Sequence, residues 1–205
     1  MNSLAILGAS GHGKVLADIA QLAGWQQVTF FDDAWPKVSV NGYWPVNGNT
    51  ADLIAQLHDF DGVIVGIGNN QIRLDKHALL KDSGARLISL VHLSAQVSRY
   101  VEIGVGTVVM PGVCINLDTK IGDACIINTH SSIDHDCVLE DGVHVSPHAV
   151  LAGGVNVGRA AWLGMSSSIR QLIEIGNGAV VGMGAVVVKN IPAGVTVVGN
   201  PAREL

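Results

Sequence analysis

Residues 121–145 read IGDACIINTHSSIDHDCVLEDGVHV. Ile121, Ile127, Ile133, Leu139 and Val145 fall on every sixth residue of this stretch. The same spacing extends back to Val97 and forward to Val187, giving sixteen aliphatic positions without a break. Four residues after each comes a second small or apolar position, from Val101 through Cys125, Ser131, Cys137 and Ala149 to Ile191. A period of six matches neither the 3.6-residue turn of an α-helix nor the two-residue alternation of a simple strand. It matches a β-helix with one short strand and one corner per six residues. Three strands then close a coil of eighteen residues, and coils stack at about 4.8 Å. The pattern predicts a little over five coils, about 25 Å in height, with the register lost after Ile191.

The whole chain has 205 residues, 48% of them hydrophobic and 14% charged, which is the composition of a folded protein with a sizeable core. Its net charge of -5 gives no basic footprint for duplex nucleic acid. No apolar run approaches the roughly 18 residues that span a bilayer. The opening MNSLAILGAS lacks a basic segment followed by a long apolar one, so no secretory signal is expected. Cys114, Cys125 and Cys137 form no CxxC pair, and an odd number of thiols points to a reducing, cytoplasmic setting.

Residues 1–90 follow a different rule. LAILG reads as a strand running into a glycine turn, and ASGHGKVLADIAQLAG as a helix. VTFFDD, DGVIVGIGNN and ARLISLV read as further strands, with a second helix over QIRLDKHALLKDSG. Strands alternating with helices predict a Rossmann-like parallel α/β domain over 1–90, followed by the β-helix over 91–205. The glycine loop GASGHGK joins a strand to a helix start, where free N–H groups favour an anion. Its spacing, GxxGxG, differs from the dinucleotide fingerprint GxGxxG. Asp32 and Asp33 end the next strand and GIGNN ends the third, all at the carboxyl edge where open α/β sheets take ligands. Nucleotide binding follows from this convergence, and the absence of a second redox half argues against a dinucleotide-dependent oxidoreductase.

GASGHGK, FFDD, IGNNQIR, VMPGVCIN, IINTHSSIDHDC, GVHVSPHA and the closing VGNPA together resemble the bacterial hexapeptide-repeat nucleotide-sugar acetyltransferases. That group includes the UDP-4-amino-sugar N-acetyltransferases of bacillosamine synthesis, with sialic acid O-acetyltransferase-like proteins as close relatives. The resemblance implies a left-handed β-helix, although right-handed crossovers are the general rule for parallel strands. It implies acetyl transfer from acetyl-CoA to the 4-amino group of a UDP-linked 4-amino-4,6-dideoxy sugar. It makes His135 the base, with Asp136 orienting it and Asp134 a second candidate for that task. It places acetyl-CoA near His144, Gly153, Met165, Gly182 and Met183. It places the UDP-sugar near Gly11, His12, Gly13, Asp32, Asp33, Gly68 and Asn69.

The chemistry asks for such residues. A sugar amine must lose a proton as it attacks a thioester, and histidine is suited to accept it near neutral pH. A carboxylate on the other ring nitrogen fixes the tautomer. Gly153 lies eighteen residues after His135, one coil along the same edge, so its N–H is the expected oxyanion donor. Cys125 and Cys137 fall on inward positions and read as core. His130 and His148 are also eighteen residues apart and are expected to stack as a ladder. Trimeric β-helix carbonic anhydrases hold zinc on histidines of this fold, so a metal-dependent lyase is one rival reading, but no metal is expected here. Sugar O-acetylation is the nearer rival. A homotrimer with sites between subunits is expected, because one narrow prism offers no deep pocket.

Overall fold

In a computed structural model, which describes residues 2–205, the six-residue period becomes a parallel β-helix. Each aliphatic position closes a two-residue strand, such as Cys114–Ile115, Lys120–Ile121 and Ile126–Ile127. Each strand pairs in parallel with the one eighteen residues on: Ile115 with Ile133, Ile121 with Leu139 and Ile127 with Val145. Three faces result. The first holds Ser132–Ile133 and Val150–Leu151, the second Val138–Leu139 and Asn156–Val157, the third His144–Val145 and Trp162–Leu163. The aliphatic residue of each strand points inward, so Ile127, Ile133, Leu139, Val145 and Leu151 are fully buried.

The second inward row is filled by Thr107, Thr119, Cys125, Ser131, Cys137 and Ala149. Burying a hydroxyl requires a partner. Thr107 donates to the Gly122 carbonyl at 2.8 Å and accepts from the Cys125 N–H at 2.9 Å. Thr119 donates to the Asp134 carbonyl at 2.8 Å.

From Ile103 to Val181 the corners turn on a left-handed residue at the third position after each inward aliphatic. Asp118, Ala124, His130, Asp136, Gly142, His148 and Gly154 all have φ between 53° and 69°. Outside glycine this conformation costs about 1–2 kcal/mol, and a hydrogen bond between coils holds it. His130 N–H donates to the Pro111 carbonyl at 3.0 Å, and Gly154 N–H to that of His135 at 2.9 Å. The last coil departs from the sequence expectation. Ile191 does not occupy the second inward row but bridges Ile175, and Val197 pairs with Val181. That coil spans sixteen residues rather than eighteen, so the register breaks after Val187, not after Ile191. The missing two residues come from the corner Val188–Asn190, where the Asn190 side chain accepts from the Glu174 N–H at 3.0 Å and closes the shorter turn.

Contacts divide the chain into units 1–90 and 91–205. The first unit is a three-stranded parallel sheet, with β1 (Ser3–Leu7) between β2 (Gln27–Phe31) and the strand Gly62–Val65. Leu7, Phe31, Val63, Val65, Leu53 and Leu80 form one core cluster. Helix α1 (Gly11–Leu22) follows β1, and a longer helix, Asn70–Asp82, follows the third strand. The expected strand ARLISLV is mostly irregular. Leu87 bridges Val63 and Leu90–Val91 is a strand, but the residues between leave the ladder. A hairpin, Val40–Asn41 with Trp44–Pro45, and a helix, Thr50–Ala55, lie in the stretch that sequence reading left without elements. The helix is fixed by a capping box between Asn49 and Asp52.

Candidate active site

His135 sits on the edge between the first and second faces, one residue before the left-handed corner at Asp136. That corner turns the Asp136 carboxylate back on the ring: Oδ2 lies 2.7 Å from His135 Nδ1. Asp134 has a different task. Its Oδ1 accepts from the His135 backbone N–H at 2.9 Å and from the Asn116 side chain at 2.9 Å. Asp136 therefore holds the imidazole and Asp134 holds the backbone beneath it. The hydrogen bond that Asp136 accepts, and then the Asp134 charge, raise the His135 pKa above the usual 6.5. The Asn116 amide and the His135 N–H keep the Asp134 carboxyl below its usual range. With Nδ1 engaged, Nε2 is left to face outward from a side chain that is 53% exposed.

The ring lies over Gly153. A Cβ there would come within 2.6 Å of Cε1 and 2.7 Å of Nε2, so only glycine permits this approach. The ladder uses the N–H groups on either side, Ala152 to Ile169 and Gly154 to His135, but among the described residues that of Gly153 enters no such bond.

The residues expected near acetyl-CoA separate into two places. Met165, Gly182 and Met183 line one apolar cleft of about 320 Å³ with Pro147 and Trp162. It lies on the third face and its edge with the first, away from the edge that carries His135. His144 is beside it, its ring stacked on Trp162 at 6.1 Å and 12°. Trp162 donates to the Ser146 hydroxyl at 2.8 Å, and Asn128 lies 3.2 Å from His144 Nε2. Gly153 is with His135 instead.

In the α/β unit the expected residues gather at the carboxyl ends of the strands. Gly13 is packed against the Gly8 carbonyl and the Phe30 ring, which leaves no room for a side chain. Gly11 is open and begins α1 without a side-chain cap at Ser10, so the first-turn N–H groups have no side-chain acceptor there. Asp32 braces the loop, accepting from the Ala9 N–H at 2.7 Å and the Ala34 N–H at 2.9 Å. Asp33 is committed elsewhere. Lys76 reaches it at 2.7 Å and Thr50 donates to it twice, which lowers its pKa to about 2. Asn69 caps the helix Asn70–Asp82 through the Ile72 N–H, and Gly68 is exposed. Arg73, fully buried, donates to the carbonyls of Ile67 and Gly68 and to the Asn70 side chain. His12 is driven neutral, with a pKa near 4, first by burial and then by the Arg73 charge. Its Nε2 is buried and meets no partner among the described residues.

His130 and His148 stack at 5.3 Å and 13° on the edge between the third and first faces, the same edge that the cleft reaches. Among the described residues no group of three or more His, Cys, Asp or Glu could hold a metal ion.

Two family descriptions match the chain: the PglD N-terminal domain over residues 3–78, and the bacterial transferase hexapeptide (six repeats) over residues 118–153. GDP-perosamine N-acetyltransferase of Escherichia coli O157:H7 is 33% identical across 100% of this chain and 97% of its own. The chain belongs to the hexapeptide-repeat nucleotide-sugar N-acetyltransferases. Two solved structures of this family overlay it closely. The acetyltransferase domain of PglB from Neisseria gonorrhoeae FA1090, in complex with acetyl coenzyme A, has a TM-score of 0.94 and 39% identity over 100% of both chains. PerB from Caulobacter crescentus, in complex with CoA and GDP-perosamine, has a TM-score of 0.95 and 35% identity over 100% of this chain and 98% of its own.

Within this nucleotide-sugar N-acetyltransferase the sequence reading missed two residues. Trp162 occupies an outward strand position, where the six-residue pattern sets no residue type. Its spacing of eighteen from His144 could have revealed the stack. Arg73 sits inside a helical pattern as one charge among several, and only the fold shows that it is buried.

Proposed function

We propose that the protein transfers the acetyl group of acetyl-CoA directly to the 4-amino group of a nucleotide-linked 4-amino-4,6-dideoxy sugar. The observation that carries this reading is the arrangement Asp136–His135–Gly153: a carboxylate 2.7 Å from Nδ1, a free Nε2, and a glycine N–H outside the ladder. His135 Nε2 accepts the proton that the attacking amine gives up. The Gly153 N–H faces the thioester oxygen as it gains charge. The carbon–sulfur bond then breaks, and the proton passes from the imidazolium to the departing thiolate. Asp136 keeps Nδ1 protonated and stabilises the imidazolium between these steps. No acyl-enzyme is required, and the buried Cys125 and Cys137 take no part.

The acceptor is read as a UDP-sugar from the motifs of residues 8–14, 30–33 and 67–73. Gly11, His12, Gly13, Asp32, Gly68 and Asn69 border its nucleotide, and Asp33 steadies the rim through Lys76 and Thr50. A relative solved with GDP-perosamine supports a GDP-linked sugar as the second reading. His144, Met165, Gly182 and Met183 are read as the acetyl-CoA cleft, which is apolar enough for a pantetheine arm. In one chain this cleft and His135 lie on different edges, so we read the working form as a homotrimer in which one subunit's cleft meets its neighbour's edge. We place it in the cytoplasm, where acetyl-CoA is at hand; no helix among the described residues is long and apolar enough to cross a membrane.

The test is an acceptor screen with acetyl-CoA, read by release of free thiol. UDP- and GDP-linked 4-amino-4,6-dideoxy sugars and their 4-hydroxy counterparts are offered in parallel. Turnover with an amino sugar alone supports the reading, and turnover with the hydroxy sugars alone replaces it with O-acetylation. Light scattering that finds only monomer in active samples removes the trimer.

A further inference from the structure

The edge that carries His135 changes its charge along its length. The corners at Asp118 and Asp134–Asp136 are acidic, and Ala152–Gly154 is neutral. The next corner presents Arg170, and the shortened last corner presents Lys189, both exposed. Neither has an ion-pair partner among the described residues. By contrast Lys120 is paired with Glu102 at 3.4 Å and Arg159 with Asp141 at 2.7 Å. Arg99 lies on the same edge two coils in the opposite direction, over the Tyr100 ring and beyond the acidic corners. The apolar cleft carries no charged residue at all.

We propose that Arg170 and Lys189 bind the phosphate groups of acetyl-CoA whose thioester lies at His135 and Gly153. The proposal rests on the acyl-transfer reading above and adds the residues that hold the far end of the donor. Arg170 stands two coils beyond His135 and Lys189 three, which is about 10 Å and about 14 Å at the coil spacing of about 4.8 Å. Some thirteen bonds separate the sulfur from the first phosphorus of CoA, on the order of 16 Å when extended. All the negative charge of CoA lies beyond that point, in a pyrophosphate and a 3′-phosphate. Cations at this height, with side chains that extend their reach, meet the phosphates and leave the uncharged arm against the neutral corner at Ala152–Gly154. An Arg fork suits paired phosphate oxygens, and a Lys acts as a point charge beside it. Coils thus order the edge by chemistry: base, oxyanion donor, phosphate clamp.

The experiment compares the wild type with the double variant Arg170→Gln, Lys189→Gln, using acetyl-CoA and the phosphate-free donor S-acetyl-pantetheine. The variant is expected to raise the acetyl-CoA KM about tenfold, with kcat within about twofold. Its kcat/KM for S-acetyl-pantetheine is expected to match the wild type, and the rise of the acetyl-CoA KM with sodium chloride is expected to flatten. An unchanged acetyl-CoA KM overturns the proposal. So does equal weakening toward both donors, which reports general damage to the edge. A wild type that neither binds CoA by calorimetry nor transfers acetyl overturns the acyl-transfer reading and the proposal together. A wild type that turns over while the variant shows no donor selectivity overturns the proposal alone.

Discussion

Two histidines, one in each unit, are driven in opposite directions. His135 stands on an open edge between two carboxylates and is pushed toward the charged form. His12 is half-buried, with its Nε2 enclosed, and is held neutral by desolvation and the Arg73 charge, with a pKa near 4. The solenoid places groups at the surface and tunes them with neighbours on the same corner. In the α/β unit His12 is instead tuned chiefly by desolvation. The first arrangement suits a proton carrier that must meet substrate, and the second a neutral donor or acceptor at a fixed position.

The sharpest way to break this contrast is to remove each ring. His135→Ala is expected to lower kcat at least about 100-fold while the acetyl-CoA KM stays within a few-fold, measured by thiol release. Unchanged turnover would falsify the assignment of the base. Gly153→Ala is expected to cost about 10–100-fold in kcat, because its Cβ would displace the ring it meets at 2.6 Å. A thermal melt within a few degrees of wild type separates this from unfolding.

The pH dependences should diverge as well. The neutral fraction of His135 grows as pH rises through its raised pKa, so the rising limb of kcat/KM is expected above 6.5. Asp136→Asn should move that limb downward and lower the plateau about tenfold, whereas Asp134→Asn should move it less. For His12 the folded pKa lies below the unfolded one. Between about 6.5 and about 4 the unfolded chain binds the extra proton, so stability present above 6.5 is lost as pH falls through this window. The loss is at most about 3 kcal/mol. His12→Asn should flatten it in denaturant titrations at pH 7 and pH 4.5, and an equal slope in both proteins would count against the neutral histidine. The smallest expected effect is Trp162→Ala, a rise of roughly three- to tenfold in the acetyl-CoA KM from loss of the His144 platform.

The two units also differ in how much the sequence reveals. In the solenoid one repeat fixes strand, face and neighbour, because each inward aliphatic must stack on the one eighteen residues away. His135, Gly153 and the His130–His148 ladder could be placed from arithmetic alone. The arithmetic failed at Ile191, where an aliphatic residue satisfies both the regular inward row and the shorter bridge to Ile175. It also left Asp134 and Asp136 equivalent. Separating them required the left-handed backbone at residue 136, which turns the Asp136 carboxylate onto the ring and leaves that of Asp134 on the backbone N–H. In the α/β unit the glycine turns and two long helices were legible from period and breakers. The hairpin at 40–45 and the partners of Asp33 were not, because short elements and long-range ion pairs leave no local pattern.

The stacked corners give the edge a property that neither a loop nor an isolated helix offers. Position along it advances in whole coils, so the separation between any two corner groups is a multiple of one height. A donor molecule laid along such an edge is measured against a scale with fixed graduations. Lengthening that scale by one graduation takes a whole coil, about eighteen residues or sixteen where a corner is shortened as in the last coil. The groups along the edge are therefore spaced in steps of one coil height.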